Sequence, residues 1–108
     1  MKYDDDIYKK PPIHLIPPEV LESVATVFGF GAAKYGENNW RDDASTTAKG
    51  RTYSSIQRHL IAWLRGEDID PESGLHHIDH AITQCMILKM HIVEAPDVDD
   101  RYSRRKDV

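Results

Sequence analysis

Residues 75–92, "LHHIDHAITQCMILKMHI", decide the fold. Leu75, Ile78, Ile82, Cys85 and Ile92 recur at heptad-like spacing, interrupted by Lys89 and widened by Ala81 and Leu88. That period belongs to a helix and not to a strand. Pro71 and Ser73 are expected to open it. At about 100° of rotation per residue, His77, His80 and Gln84 share a narrow strip beside the apolar stripe. His76, Asp79 and Thr83 share another strip, on the far side of His80. Ile87 and Met90 lie away from the main stripe, so this helix needs neighbours on several sides.

Working towards the N-terminus, Tyr53, Ile56, Leu60, Trp63 and Leu64 predict a second helix that stops at Gly66. Arg58, His59 and Ala62 fall off its apolar stripe. A further helix starts at Pro17–Pro18, where proline suits the first turn. It follows Val20, Val24, Val27 and Phe28, is weakened by Gly29 and Gly31, and ends at Gly36 after Lys34 and Tyr35. Between these two helices, residues 37–50 read as a loop that carries Trp40, either as an anchor to the core or as a ring presented to a ligand. Residues 1–16 read as an extended arm whose Ile13, Leu15 and Ile16 can pack elsewhere. Residues 17–94 form one helical domain, and residues 95–108 a charged, flexible tail. No strand pattern and no internal repeat emerges. The predicted fold is all-α, with three main helices.

At 108 residues, 40% hydrophobic and 30% charged, the chain has the size of one domain with a limited core. A homodimer or homotetramer is expected on that ground. The net charge of −4 and scattered basic residues predict no nucleic-acid face. No apolar run approaches the roughly 18 residues of a membrane span, and the N-terminus lacks the apolar core of a secretion signal. The one cysteine, Cys85, sits in apolar surroundings and is expected to be a packed thiol. These features predict a cytoplasmic protein.

The chemistry concentrates in residues 65–81, "RGEDIDPESGLHHIDHA", where Glu67, Asp68, Asp70 and Glu72 precede His76, His77, Asp79 and His80. Two readings stand. Acids gather at helix starts because the helix dipole favours them there, and Glu72 can be explained by capping alone. Alternatively, the acids and histidines form a site. Then either the acids hold a hard cation while histidines contact phosphates, or both ligate a softer metal. Zinc-finger spacing, an adjacent His-Asp pair, a serine-nucleophile elbow and a phosphate-cradling Gly-Lys-Ser/Thr loop are all missing from the sequence.

The order "FGFGAAKYGENNW" followed by "RHLIAWLRGEDIDPESGLHHIDHA" resembles the phage dATP/dGTP diphosphohydrolases, MazZ-type enzymes of phages that carry 2-aminoadenine in their DNA. These are placed near the all-α MazG-like nucleoside triphosphate pyrophosphohydrolases. The likeness runs from about Pro17 to His91 and implies a helical bundle completed by oligomerisation. It falls on Lys34, Tyr35, Asn39, Trp40, Arg58, His59, Gly66, Glu67, Asp70, Glu72, Ser73, Gly74, His77 and His80. His76 and Asp79 stand where the family has small residues or proline and alanine, which favours His77 and His80 as the functional pair. MazG-like enzymes hold magnesium through Glu-x-x-Glu and Glu-x-x-Asp pairs on successive helices. Here the pair near the histidines is Glu67-x-x-Asp70, across a glycine-ended turn, and Glu19-x-x-Glu22 sits at a helix start.

The activity implied is hydrolysis of dATP and dGTP to monophosphate and pyrophosphate. The implied catalytic residues are Glu67, Asp70, His77 and His80, and the implied ligands for Mg2+ or Mn2+ are Glu67, Asp70, Glu72, His77 and His80. Lys34, Tyr35, Asn39, Trp40, Arg58 and His59 are the implied substrate contacts. The rival readings are a metal-dependent nucleotide phosphohydrolase that releases phosphate, and a non-catalytic helical adaptor.

Overall fold

The computed structural model describes residues 9–102. The arm residues 1–8 and the tail residues 103–108 lie outside the described residues. A short 3-10 turn, Ile13–Leu15, leads into α1 (Pro18–Tyr35). Then come a one-turn helix α2 (Asn39–Asp42), α3 (Lys49–Leu64) and α4 (His77–Glu94). The three long helices are those expected. Among the described residues there is no strand, only an isolated antiparallel bridge between Ile69 and His76. No described helix is long and apolar enough to cross a membrane.

α1 begins at Pro18, with proline in its first turn, and ends where Gly36 takes a positive φ of 97°. α3 starts at Lys49, earlier than its apolar period indicates. Its first turn has no local side-chain cap. The Asp100 carboxylate supplies one from a distance, accepting the Gly50 N–H at 3.0 Å. A Cβ at position 50 would stand 2.7 Å from Asp100 Oδ2, so glycine permits this approach. Lys49 also donates to the carbonyls of Ala95, at 2.8 Å, and Val98, just past the C-terminus of α4. The segment expected as a flexible tail is thus tied onto α3 between residues 95 and 100. By contrast, Ile13, Leu15 and Ile16 of the arm are exposed.

α4 is the centre of the molecule. It packs against α1, α2 and most extensively α3. Two expectations about it are corrected. Pro71 and Ser73 do not open it: the helix begins at His77, because the His76 ring accepts the Ile78 N–H at 3.0 Å and caps it there. The apolar stripe is also not the buried one. The buried residues of α4 are His77, His80, Ala81, Thr83 and His91, whereas Ile92 is exposed and Cys85 is an exposed thiol. On a 100° wheel the buried face is rotated by roughly 130° from the stripe of Ile78, Ile82, Cys85 and Ile92. The neighbours supply the reason. Val24 and Val27 of α1 and Ile56 of α3 are buried, and His77 and His91 of α4 find partners off their own helix, in His59 and the Trp40 carbonyl.

Candidate metal centre and adjoining cavity

Between α3 and α4 the chain makes a compact connection. Gly66, with a φ of 100°, ends α3, and residues 68–77 fold back on themselves. The His77 N–H bonds the Asp68 carbonyl at 2.9 Å, the Asp70 N–H bonds the Leu75 carbonyl at 2.8 Å, and the Gly74 N–H bonds the Asp70 carbonyl at 2.8 Å. Gly74 closes the turn with a φ of 74°, a region where a side chain is strained. This connection sets three carboxylates at different places. Glu67 reaches His77, Asp70 faces His80, and Glu72 points to Lys34 on α1.

Asp70 divides its two oxygens. Oδ1 accepts the Glu72 N–H at 3.0 Å, which fixes the side chain in an Asx turn. Oδ2 lies 3.6 Å from His80 Nε2. Ser73 Oγ accepts the Leu75 N–H at 3.1 Å and sits 2.6 Å from the same His80 Nε2. When Ser73 donates its hydroxyl proton to His80, Nε2 carries the lone pair and the ring proton is on Nδ1.

A second chain of bonds runs through the other imidazoles. His77 Nε2 is 2.7 Å from Glu67 Oε1, and His77 Nδ1 is 2.9 Å from His59 Nδ1. A carboxylate only accepts, so with one ring proton His77 donates from Nε2 and accepts at Nδ1. His59 therefore donates from Nδ1, and its Nε2 carries the lone pair. The His59 ring stacks on His80 at 4.6 Å with 4° between planes. Burial pushes His59 below the ordinary imidazole range, helped by His80 and His77 and opposed by Asp70. Burial lowers His80 too, against the pull of Asp70. Both rings are held neutral, the state that ligates metal.

One ligand atom each from His59, Asp70 and His80 lie within 4.8 Å of one another. Ligand atoms bonded at about 2.1 Å to one tetrahedral ion stand about 3.4 Å apart, close to the 3.6 Å between His80 and Asp70. The His59 Nε2 lone pair, His80 Nε2 once it exchanges its Ser73 contact for the ion, and an Asp70 oxygen fit a divalent ion. The Glu67–His77–His59 chain is the kind of outer support that orients such ligands. Imidazole-rich sets favour manganese and later metals over magnesium, which prefers oxygen.

Of the expected ligands, Asp70 and His80 stand together, Glu67 and His77 lie one layer out, and Glu72 is elsewhere. His59, expected as a substrate contact, joins the cluster instead. Its sequence signals were its place off the apolar stripe of the second predicted helix and the family likeness, neither of which points to a metal. Ser73 was singled out as a helix opener and by family likeness, and no local signal pairs it with His80. His76 caps α4, and Asp79 accepts from Ser23 of α1 at 3.0 Å.

One member of the cluster, His80, also lines a cavity of about 650 Å³, within the usual range for small-molecule sites, together with Lys34, Tyr35, Asn39 and Trp40. Lys34 Nζ is 3.1 Å from Glu72 Oε1, in an exposed pair. The hydrogen bond to Glu72, then Tyr35, raises Lys34 above the ordinary lysine range, keeping it charged. The Trp40 ring, which lies 6.0 Å from both Phe28 and His91, forms part of an aromatic wall. Arg58 is exposed on α3.

Fold and site together define an all-α protein with a histidine–carboxylate cluster beside an aromatic-walled cavity. A family model described as dATP/dGTP diphosphohydrolase, N-terminal, matches residues 2–101, and the chain belongs to that family. The dATP/dGTP diphosphohydrolase of Salmonella phage PMBT28 is 35% identical over 92 residues, which cover 85% of this chain and 30% of that relative. The chain thus corresponds to under a third of the relative's length. No solved structure matches.

Calorimetric titration with Mn2+ checks the cluster. Asp70→Asn and His80→Ala should abolish binding, while Glu67→Gln should weaken it by about 10–100-fold. The same cluster governs stability against pH. Folding lowers the pKa of His59 and His80 from the ordinary 6.5, so the unfolded chain binds more protons below that value. The metal-free melting temperature should fall as pH drops from 6.5 through the lowered values, and less steeply in a His59→Gln/His80→Gln variant.

Proposed function

We propose that this chain hydrolyses dATP and dGTP between the α and β phosphates, giving the deoxynucleoside monophosphate and pyrophosphate. The observation that carries this reading is one cavity lined by His80 of the cluster, by Lys34 and by the Phe28–Trp40 pair. A cation beside an aromatic wall suits the phosphates and the base of a nucleotide. Family membership and the name of the phage relative point to the same substrates.

A divalent ion held by His59, Asp70 and His80 would neutralise phosphate charge and acidify water for attack. We assign Mn2+ ahead of Mg2+ from the donor set. Glu67 and His77 hold the His59 proton on Nδ1 and so keep Nε2 free. Lys34 exchanges its exposed pairing with Glu72, a weak contact, for the phosphoryl oxygens as negative charge moves to the leaving pyrophosphate. Arg58 adds positive charge near His59, which it lowers. Trp40 and Phe28 flank the base, with Tyr35 and Asn39 at the rim. Water adds to the α-phosphorus, the bond to the bridging oxygen breaks, and pyrophosphate departs. The cellular role we assign is phage nucleotide metabolism linked to 2-aminoadenine DNA, supported by the family resemblance and the phage source of the relative.

We also propose that the chain works as a homodimer or a dimer of dimers. Five apolar residues are buried among those described (Val24, Val27, Ala44, Ile56, Ala81), while Trp63, Leu64, Met86, Ile92 and Val93 stay exposed. The outward apolar stripe of α4 matches a second copy of itself better than water. Light scattering should give a multiple of 12.4 kDa, and a stable folded monomer at micromolar concentration would exclude this.

A dNTP panel with Mn2+, Mg2+ or chelator tests the activity. Monophosphate and pyrophosphate should form from dATP and dGTP with metal only, and Asp70→Asn should lower kcat by more than about 100-fold, beyond an outer-support loss. Release of inorganic phosphate would indicate the phosphohydrolase reading. Full tolerance of Asp70→Asn and His80→Ala, with no hydrolysis in the parent chain, would indicate the adaptor.

A further inference from the structure

The Ser73 hydroxyl stands where an ion held by His80 would meet a further donor. Its Oγ is 2.6 Å from His80 Nε2, while Asp70 Oδ2 is 3.6 Å from the same nitrogen. Donors that share one ion stand about 3.4 Å apart, so Oγ needs a shift of under about 1 Å to join them. Asp70 and Ser73 belong to one tight turn. The Gly74 N–H bonds the Asp70 carbonyl at 2.8 Å, and the Glu72 N–H bonds Asp70 Oδ1 at 3.0 Å. The turn thus brings two side-chain oxygens to a single nitrogen of α4.

The turn's own needs account for part of the serine. Oγ accepts the Leu75 N–H at 3.1 Å, which uses one lone pair. The second lone pair and the hydroxyl proton remain, and His80 Nε2 is the partner the structure gives them. An ion on His80 Nε2 takes that partner away. A part-buried hydroxyl stripped of its hydrogen bond is destabilising. The ion itself supplies the remedy, because it can take the second lone pair while Leu75 keeps the first.

The charge of the set points the same way. His59, His80 and Ser73 are neutral donors, and Asp70 is the one acid, so a divalent ion there keeps a surplus of positive charge. A second carboxylate in place of the hydroxyl would cancel that surplus and the attraction for a polyphosphate. Serine and threonine hydroxyls hold Mg2+ in this manner in phosphate-binding loops.

We infer that Ser73 is a ligand of the metal centre. Its hydroxyl keeps the ion's place at His80 Nε2 in the metal-free protein and turns its second lone pair onto the ion when one binds. The inference rests on the His59–Asp70–His80 centre proposed above and adds the donor that keeps this centre cationic. With two nitrogens and two oxygens, the set suits Mn2+ better than the softer metals.

A cysteine at position 73 reads ligation directly. Its sulfur keeps an acceptor for the Leu75 N–H, and a thiolate bound to Co2+ gives a near-ultraviolet charge-transfer band that imidazole and carboxylate do not. Ser73→Cys titrated with Co2+ should show that band. The wild-type chain, whose Cys85 is an exposed thiol, should not. The affinity of Ser73→Cys should also move from Mn2+ towards Zn2+. In calorimetry, Ser73→Ala should bind Mn2+ about 10-fold more weakly than the wild type, and Ser73→Thr, which restores a hydroxyl, should recover most of that loss. Either the cysteine or the alanine variant decides if the other does not fold.

A Ser73→Cys chain that binds Co2+ without the band overturns the assignment, as does a Ser73→Ala chain whose Mn2+ affinity equals or exceeds that of the wild type. If Asp70→Asn still abolished Mn2+ binding, either result would leave the three-residue centre standing. A wild-type chain that binds neither ion would sink the centre and the Ser73 ligand together. The band without hydrolysis of dATP or dGTP would remove the proposed activity and keep the ligand.

Discussion

The contact between two imidazole nitrogens, His59 Nδ1 and His77 Nδ1 at 2.9 Å, is the constraint on which the site depends. Each ring has one proton to place when neutral, and the contact requires one donor and one acceptor. Glu67 settles the direction, because a carboxylate at 2.7 Å takes the His77 proton on the opposite nitrogen. The choice propagates through His77 to His59 and leaves a bare Nε2 there. Without Glu67 the His77 ring could reverse its tautomer, and His59 would then have to give up its Nδ1 proton and carry it on Nε2. The charge on an outer, half-exposed acid thus sets the chemistry of a buried nitrogen two rings away.

The same seam explains an uneven core. α4 turns three histidines and a threonine inward and leaves apolar side chains outside. Buried imidazoles contribute less to stability than leucines in the same places, and they must be paired. For His77 and His80 the connection between α3 and α4 does that pairing, and for His91 the Trp40 carbonyl does. The connection places the Ser73 hydroxyl on His80 and the Asp68 carbonyl on the His77 N–H, and it fixes Asp70 through the Glu72 N–H. The loop's geometry is a condition for the helix being buried this way round. Gly66 and Gly74 are the positions that let so short a connection turn.

Much of this was legible in the sequence, and the failures share one cause. Pro18 and Gly36 marked the ends of α1, and Gly66 marked the end of α3, because these are local signals carried by backbone preference. Crowding marked Asp70 and His80 as candidates among eight acids and histidines, and the structure sets these two 3.6 Å apart. The period of Ile78, Ile82, Cys85 and Ile92 identified a helix but not its buried side. Periodicity reports which face is apolar, and only the partner helices decide which face is covered. His59 was unreadable as a member of the cluster for the same reason, since its neighbours His77 and His80 come from another helix. Glu72 was expected as a metal ligand, with a helix cap as the alternative, and it pairs instead with Lys34 of α1. The start of α4 was missed because its cap is an imidazole, a side chain rarely considered in that role.

The central claim is that His59, Asp70 and His80 together form one metal site supported by Glu67 and His77. A crystal structure of the protein with Mn2+, with anomalous data collected at the manganese edge, tests it most directly. The account predicts one strong anomalous peak within about 2.0–2.3 Å of the His80 and His59 Nε2 atoms and an Asp70 oxygen, with Glu67 still bonded to His77. A peak held instead by Glu67, Asp68 or Glu72, or a Mn2+-saturated crystal with no peak between the stacked imidazoles, would contradict it.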